Sequence, residues 1–416
     1  MSVIRIQGRH GLNGEIHIQG SKNGVLPIMA GALLHRGTTV ITNVPIIQDV
    51  ICMMGILEYL GCRCALEGHT AVIDATHAEA VPVPCAMSGQ MRSSVMLLGP
   101  LLGRFGLAVS RHPGGCCLGN RPVNLHLDAF RALGAQVRTE GEQIGVFANH
   151  LHPATIRFPY PSVGATENAI LASVSVPGAT RIIGGAREPE IEMLCDFLCS
   201  MGAKITGGGT ACILIEGGVP LHDTTFAIDG DRIVAGTYLG ALLCSGGRLR
   251  LCGAPVFHME ESLRLAERMG MEIAVLPEGL VARMQGRARA CDFSTGPYPE
   301  FPTDLQPVMM AVLVSASGEG RIQETVFEKR FSCAEELRKL GASIIIENRF
   351  ARVRGQRPLH GARVQAKDLR GGAALVVAGL TAEGETLVEG YEHISRGYED
   401  ISRDLAQVGA EIALRE

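Results

Sequence analysis

Two kinds of apolar segment alternate along the chain. The first kind carries almost no charge: GVLPIMAGALL, SSVMLLGPLLG, NAILASVSV, GTYLGALLC, PVMMAVLVSAS and GGAALVVAGLTA. The second is amphipathic, as in PEIEMLCDFLCSMG, MEESLRLAERMG and SCAEELRKLG. A helix apolar on every side must be buried, whereas one with a polar face lies at the surface. Short alternating runs such as TTVITNV, TRIIGG, GRLRLCG and ETLVEG follow most of the uncharged helices, and AKIT and ASIII follow amphipathic ones. Period-two alternation predicts strands.

The amphipathic helices end on a recurring phrase, an aliphatic residue, then Gly, then usually Ala. It stands at Leu60-Gly61-Cys62, Leu133-Gly134-Ala135, Met201-Gly202-Ala203, Met269-Gly270-Met271, Leu340-Gly341-Ala342 and Val408-Gly409-Ala410. These glycines recur almost evenly, and a period of roughly 70 residues is too long for a solenoid repeat and too short for a full-sized domain. The pattern predicts six copies of one α+β unit, grouped into larger bodies with buried helices at each centre and sheets outside. The alternating segment Glu15–Gln19 precedes the first buried helix and is a candidate to complete a distant sheet, which would make one domain discontinuous.

A chain of 416 residues favours two or three domains. The net charge of −4, with both signs interspersed, gives no footprint for nucleic acid. No run of 18 apolar residues predicts a membrane helix, and the start, MSVIRIQGRHGLNGE, lacks the apolar stretch of a signal peptide. Thirteen scattered cysteines suggest reduced thiols and a cytoplasmic location. Cys195 and Cys199, four apart on an amphipathic helix, fit a core. The 13 histidines show no zinc-type spacing with cysteine, so neither a metal nor a cofactor is expected.

Polar clusters open the buried helices: Ser21-Lys22-Asn23, Arg92-Ser93-Ser94, Thr166-Glu167-Asn168, Asp231-Arg232, Thr303-Asp304 and Asp368-Leu369-Arg370. Capping explains the hydroxyl, amide and carboxylate residues singly. It does not explain Lys and Arg, because a helix N-terminus is already positive. Repeated cations at positive ends point to a bound polyanion. The glycine-rich stretch RHPGGCCLGNRPVNLH places adjacent cysteines between arginines. A small buried thiol and an accessible, activated one both fit it. ETVFEKRF and HISRGYED are further charged loops that ordinary solvation would explain one at a time.

In order along the chain stand GSKNGVLP, MRSSVMLLGPLLGRFG, PGGCCLGNRPVNLH, PSVGATENA, AREPEIE, DGDRI, PYPEFPTDLQ, ETVFEKRF, KDLRGGAALVVAG and HISRGYEDI. Together they resemble the UDP-N-acetylglucosamine 1-carboxyvinyltransferase family of the EPSP synthase-like superfamily, over essentially the whole length. The resemblance implies two inside-out α/β barrel domains, each of three repeated α+β units with buried central helices. One would span 22–229 and carry the cysteine loop; the other would combine 1–21 with 230–416. The active site would lie between them and close when the sugar nucleotide binds. The implied reaction moves the enolpyruvyl group of phosphoenolpyruvate onto the 3′-hydroxyl of UDP-N-acetylglucosamine and releases phosphate, the first committed step of peptidoglycan synthesis. Both substrates are small molecules, and no nucleic acid or membrane partner is implied.

The same resemblance assigns candidate roles. Cys116 is the acid and the site of a covalent adduct, including the one formed by fosfomycin. Asp304 is the base beside the sugar hydroxyl. Lys22, Arg121 and Arg396 surround the phosphate of phosphoenolpyruvate, Lys22 and Arg396 counting among the catalytic groups, and Arg330 and Arg370 add charge near its carboxylate. Asn23 and Arg92 make further substrate contacts, Asn23 to phosphoenolpyruvate and Arg92 to the sugar nucleotide. Arg121, Pro122, Val123, Asn124 and Leu125 form the uridine strip; Ser162, Val163 and Gly164 meet the diphosphate; Val326 lies near the sugar. The chain departs from commoner members at Asn124, where Asp is frequent, at Tyr160-Pro161, where some carry a basic residue, and at Val234, where some carry an acid. Cys117 doubles the thiol. Two other functions compete with this one. The sister enzyme 3-phosphoshikimate 1-carboxyvinyltransferase lacks the cysteine loop and uridine strip, and a silent paralogue that only binds UDP-N-acetylglucosamine would not need both Cys116 and Asp304.

Overall fold

The computed structural model describes residues 2–83, 92–111, 123–355 and 358–415, apart from the side chains of Arg92, Ser93 and Arg111. The chain divides into two compact units. One gathers the chain up to Gln19 and from Gly230 onward; the other holds the described residues between Gly20 and Asp229.

Each unit is built around three apolar helices that carry charge only at single positions such as Lys22, Glu167 and Arg370. In the unit from Gly20 these are Lys22–Gly31, Leu98–Phe105 and Val163–Ser173. In the other they are Arg232–Ser245, Gln306–Ser315 and Leu369–Gly379, which pack on one another. Every residue from Ile233 to Leu243 is buried, and so is every residue from Gln306 to Val314. Close approach needs small residues on the facing side. A Cβ on Gly236 would stand 2.4 Å from Leu305 Cδ1, and one on Gly240 would stand 2.5 Å from Val308 Cγ1.

The six recurring glycines have one conformational job. All have positive φ: 89° at Gly61, 92° at Gly134, 100° at Gly202, 106° at Gly270, 94° at Gly341 and 105° at Gly409. After each, the next residue's N–H reaches back across the last turn, as Cys62 N does to Leu57 O at 3.0 Å and Ala203 N does to Leu198 O at 3.0 Å. This is the left-handed helix stop that satisfies the final carbonyls, and glycine enters it without a Cβ penalty. The repeat visible in the sequence is thus a repeated helix terminator.

A two-stranded antiparallel hairpin follows most of these stops. In the first repeat, Arg63–Glu67 pairs with Thr70–Asp74, which pairs with Thr38–Thr42; Thr224–Ala227 adds a parallel edge. Five four-stranded sheets are of this mixed kind, and a three-stranded sheet completes the set among the described residues. The N-terminal chain supplies two strands. Val3–Gln7 pairs with Glu385–Glu389 and Glu411–Arg415, and Leu12–His17 pairs with Gly247–Cys252.

One expectation needs correction. The units are α/β with mixed sheets around buried helices, but they are not barrels: each sheet has two edge strands and none closes or curls strongly on itself. Three separate sheets per unit cover the central helices, so the burial that a barrel would achieve by closure is achieved by three separate faces.

Candidate active site

In the unit from Gly20, the Lys22–Gly31 helix begins with Ser21, whose hydroxyl accepts from Gly24 N at 3.2 Å. Lys22 is the next residue and is buried, with its ammonium 2.8 Å from Asp49 Oδ2. Asp49 is itself buried in the first turn of the Gln48–Tyr59 helix. Asn23 beside it is half-buried. The cation at this positive helix end is therefore compensated by a carboxylate from a second helix.

Ser162, Val163 and Gly164 open the Val163–Ser173 helix, half-buried, and the Ser162 side chain makes no cap bond. Its Ser162 carbonyl accepts from Thr166 Oγ1 at 2.8 Å, and that hydroxyl accepts from Ala186 N at 3.0 Å. Two positions later Asn168 is fully buried. Its Oδ1 accepts from Gly99 N at 2.7 Å, and its amide group donates to Val95 O at 3.0 Å and faces His126 Nδ1 at 2.8 Å. An amide NH₂ can only donate, so His126 Nδ1 is the acceptor and its proton sits on Nε2. His126 lies in the Asn124–Ala132 helix, directly after the expected strip; Val123 is buried, Asn124 exposed and Leu125 half-buried. A Cβ on Gly164 would stand 3.1 Å from His126 Cε1, so a bare backbone lets the helix start and the strip approach. Asn168 and His126 were not singled out as site residues; only their places inside the PSVGATENA and RPVNLH motifs hinted at them.

Glu167, between these residues, is buried, and its Oε2 has no hydrogen-bond partner. Burial, and then the charges of Glu190 and Glu188, push its carboxyl well above the ordinary range. An acid with a raised folded value favours folding below its unfolded value and loses that contribution as pH rises toward the folded one. Glu167→Gln removes this titration. The variant should match the wild type in urea midpoint near pH 4 and gain on it steadily from pH 5 to pH 8. A constant difference across that range would show that Glu167 is ionised in the fold.

The other unit holds the expected carboxylate. Asp304 lies in the 3₁₀ turn Thr303–Leu305 ahead of the Gln306–Ser315 helix. Its Oδ1 accepts from Arg330 Nη2 at 2.8 Å, and its Oδ2 accepts from Arg370 Nη2 at 3.0 Å and Nε at 3.2 Å. The two guanidiniums are only 1% and 5% exposed, while the Asp304 side chain is 28% exposed. Burial by itself would push Arg370 down, but Asp304, with Tyr398 and Asp231, holds it above its ordinary value. Among the described residues, Arg370 Nη1 is buried without a hydrogen-bond acceptor.

The surrounding bonds fix this cluster. Arg330 Nε donates to the Thr303 carbonyl at 3.0 Å. The Thr303 hydroxyl donates to Glu324 Oε2 at 3.0 Å, and Glu324 Oε1 accepts from Val326 N at 2.8 Å and Phe327 N at 2.9 Å. Glu324 is fully buried, so one carboxylate ties the loop of Val326 and Arg330 to the turn of Asp304. Asp368 caps its helix by accepting from Arg370 N and Gly371 N at 3.1 and 2.9 Å. Asp231 caps the Arg232–Ser245 helix in the same way. The Tyr398 hydroxyl is 2.8 Å from Thr237 Oγ1, and its ring faces the Arg370 guanidinium at 6.0 Å. Arg396 stands two residues earlier, half-buried after the Tyr391–Ile394 helix.

Capping thus accounts for Ser21, Asp231 and Asp368, but not for Asp304, which is held by two arginines. Those arginines, expected beside a substrate carboxylate, already share a protein carboxylate. Thr303 and Glu324 were missed as supports, and nothing short of the fold would reveal a bond between these two separate loops. Cys116, Cys117, Arg121, Pro122 and the side chain of Arg92 lie outside the described residues.

Comparisons with known proteins bear on what these groups serve. A family model described as EPSP synthase (3-phosphoshikimate 1-carboxyvinyltransferase) matches residues 6–405. UDP-N-acetylglucosamine 1-carboxyvinyltransferase 2 of Caldanaerobacter subterraneus is 44% identical over 413 residues, 99% of each chain. UDP-N-acetylglucosamine 1-carboxyvinyltransferase 1 of Staphylococcus aureus is 40% identical over 416 residues, 99% of each chain. Among solved structures, the enolpyruvyl transferase NikO from Streptomyces tendae superposes with a TM-score of 0.90 at 26% identity, covering 100% of this chain and 99% of that one. EPSP synthase from Acinetobacter baumannii, at 18% identity, a TM-score of 0.78 and full coverage of both chains, shares the fold. Similarity of 40–44% along the full length separates the nucleotide-sugar enzymes from their sister family, and this chain belongs to the UDP-N-acetylglucosamine 1-carboxyvinyltransferases.

Proposed function

We propose that Asp304 takes the hydroxyl proton as this enzyme transfers the enolpyruvyl group of phosphoenolpyruvate to the 3′-hydroxyl of UDP-N-acetylglucosamine by addition and elimination. The observation that carries the assignment is a partly exposed carboxylate held between two buried guanidiniums. A carboxylate so fixed cannot turn away from a substrate hydroxyl, and positioning comes before basicity in general-base catalysis. The addition forms a tetrahedral ketal as carbon 3 gains a proton. Loss of that proton with phosphate then gives the enol ether.

Arg370 Nη1, buried without an acceptor among the described residues, is suited to an anionic oxygen of phosphoenolpyruvate. A substrate anion there would share the guanidinium with Asp304, and so couple substrate binding to the carboxylate's freedom to accept a proton. Lys22, Asn23, Arg121 and Arg396 complete the phosphoenolpyruvate contacts. The uridine strip 121–125, Ser162, Val163, Gly164, Arg92 and Val326 hold the nucleotide sugar. The free N–H groups of a helix start suit a diphosphate. No helix among the described residues is long and apolar enough to cross a membrane. Both substrates are water-soluble metabolites, and we place the enzyme in the cytoplasm.

The direct experiment is phosphate release. Phosphoenolpyruvate with UDP-N-acetylglucosamine should release phosphate in step with consumption of the sugar nucleotide, and shikimate 3-phosphate should not substitute for it. Binding without release would leave only the silent paralogue.

Cys116 is proposed as the acid that serves carbon 3. Fosfomycin should therefore alkylate Cys116 and spare Cys117, and phosphoenolpyruvate should protect by competing for the same cationic surround. Peptide mass spectrometry of the wild type and Cys116→Ser decides the point; an adduct on Cys117 would move the chemistry to the second sulfur.

A further inference from the structure

On the strand Leu12–His17, Glu15 and His17 point to one face and are exposed, with buried Ile16 between them. The parallel neighbour Gly247–Cys252 is held in a register that sets Glu15 beside Arg250 and His17 beside Cys252. A carboxylate oxygen, an imidazole nitrogen and the thiol sulfur of Glu15, His17 and Cys252 all lie within 4.8 Å of one another. His17 Nε2 is 3.1 Å from Glu15 Oε1. Arg250 does not consume that carboxylate. Its Nη2 pairs with Glu278 Oε1, whereas its Nη1 stands 3.5 Å from Glu15 Oε2, leaving Oε1 turned toward the other two groups.

We propose that Glu15, His17 and Cys252 bind a zinc-type divalent cation. A tetrahedral ion with bonds of about 2.0–2.3 Å sets its donors roughly 3.4–3.7 Å apart. Side chains carried by paired strands need shift by only about 1 Å to bring the three donors to that tetrahedral spacing. Thiolate with imidazole selects zinc or cobalt over magnesium and calcium. A surface ion pair accounts for Glu15 and His17 but leaves the half-buried thiol unexplained. On binding, the thiol proton passes to solvent, the neutral imidazole donates a lone pair, and water completes the fourth position. Chain spacing hides such a site, because Leu12–His17 and Gly247–Cys252 are remote in sequence and meet only as paired strands. Its consequence would be a clip between the N-terminal strand and the body of its unit, stabilising by binding only the paired state.

The test titrates cobalt(II), then zinc, into the metal-free, reduced full chain. The proteins are wild type, His17→Ala, Cys252→Ser, and Cys212→Ser as a control at an exposed thiol elsewhere. His17 is 81% exposed, so its truncation leaves the fold intact. Wild type and control should take up one equivalent more than the other two, with a cobalt–thiolate absorption band that zinc removes. His17→Ala should weaken uptake at least about tenfold, one lost ligand's worth. Zinc should raise the melting temperature of wild type and control by a few degrees, and phosphate release should be equal in all four. Equal uptake, or an equal rise in melting temperature, across the four proteins would overturn the site.

Discussion

Asp304→Asn is expected to cut turnover by about 10²–10⁴-fold, the usual cost of removing an acid–base group, while leaving UDP-N-acetylglucosamine affinity within a few-fold of wild type. The amide keeps the shape of the side chain but loses the charge that accepts a proton. The same substitution should lower stability, because Arg330 and Arg370 are buried and share that carboxylate. Leaving a buried charge unpaired costs about 3–5 kcal/mol; the partial exposure of Asp304 places the expected loss below that range. Steady-state kinetics well under the melting temperature, calorimetry with the nucleotide sugar and thermal denaturation separate the two effects. A destabilised variant with wild-type specific activity would reduce Asp304 to a structural counter-ion.

The origin of that difference shows what the chain discloses before folding. The six helix stops are legible because glycine at positive φ is a local requirement, met within one turn and repeated in one register. The apolar helices are legible because burial on all sides keeps charge out of all but a few positions, Lys22, Glu167 and Arg370 among them. Both are properties of short windows. Whether a sheet closes on itself is not, since it depends on how edges such as Thr224–Ala227 and Arg63–Glu67 end, and these lie in different repeats. The barrel expectation, which the family resemblance implied, failed there, while the repeats remained. Five sheets take a hairpin from one repeat, the sixth sets Val3–Gln7 between Glu385–Glu389 and Glu411–Arg415, and in every sheet the pairing ends at both sides.

The candidate site divides along the same line. Asp304, Arg330 and Arg370 were each named from motifs, but that one carboxylate would bind both arginines follows only from bringing the 303–305 turn, the 324–331 loop and the 369–379 helix together. Glu324 and Asn168 stand inside polar motifs of the sequence, but their supporting roles are hidden there for the opposite reason. Each satisfies several groups at once without belonging to any catalytic pattern, and a buried residue that makes three bonds looks in sequence like any polar loop or helix residue. Lys22 was noticed because a cation at a positive helix end is anomalous. Its partner Asp49, in the first turn of the following helix, resolves part of the anomaly.

Arg370→Lys should be the most damaging substitution that keeps charge. Arg370 spends Nε and Nη2 on Asp304 and holds Nη1 buried with no acceptor among the described residues. A planar fork can serve a fixed carboxylate and a substrate anion together; an ammonium is a single point that must choose between them. A charge-assisted hydrogen bond is worth about 1.5–3 kcal/mol, so losing one to phosphoenolpyruvate predicts a fall in kcat/KM for that substrate of about 10- to 150-fold. Any loosening of Asp304 adds to the fall. The KM for UDP-N-acetylglucosamine should move little. Arg330→Lys provides the contrast. Arg330 gives Nε to the Thr303 carbonyl and Nη2 to Asp304, so its replacement should lower the melting temperature first and affect turnover through the turn it supports. Kinetics with phosphoenolpyruvate as the varied substrate, beside thermal denaturation of both variants, tests the division. Wild-type kcat/KM in Arg370→Lys would mean that Nη1 faces no substrate anion and that Arg370 serves Asp304 alone.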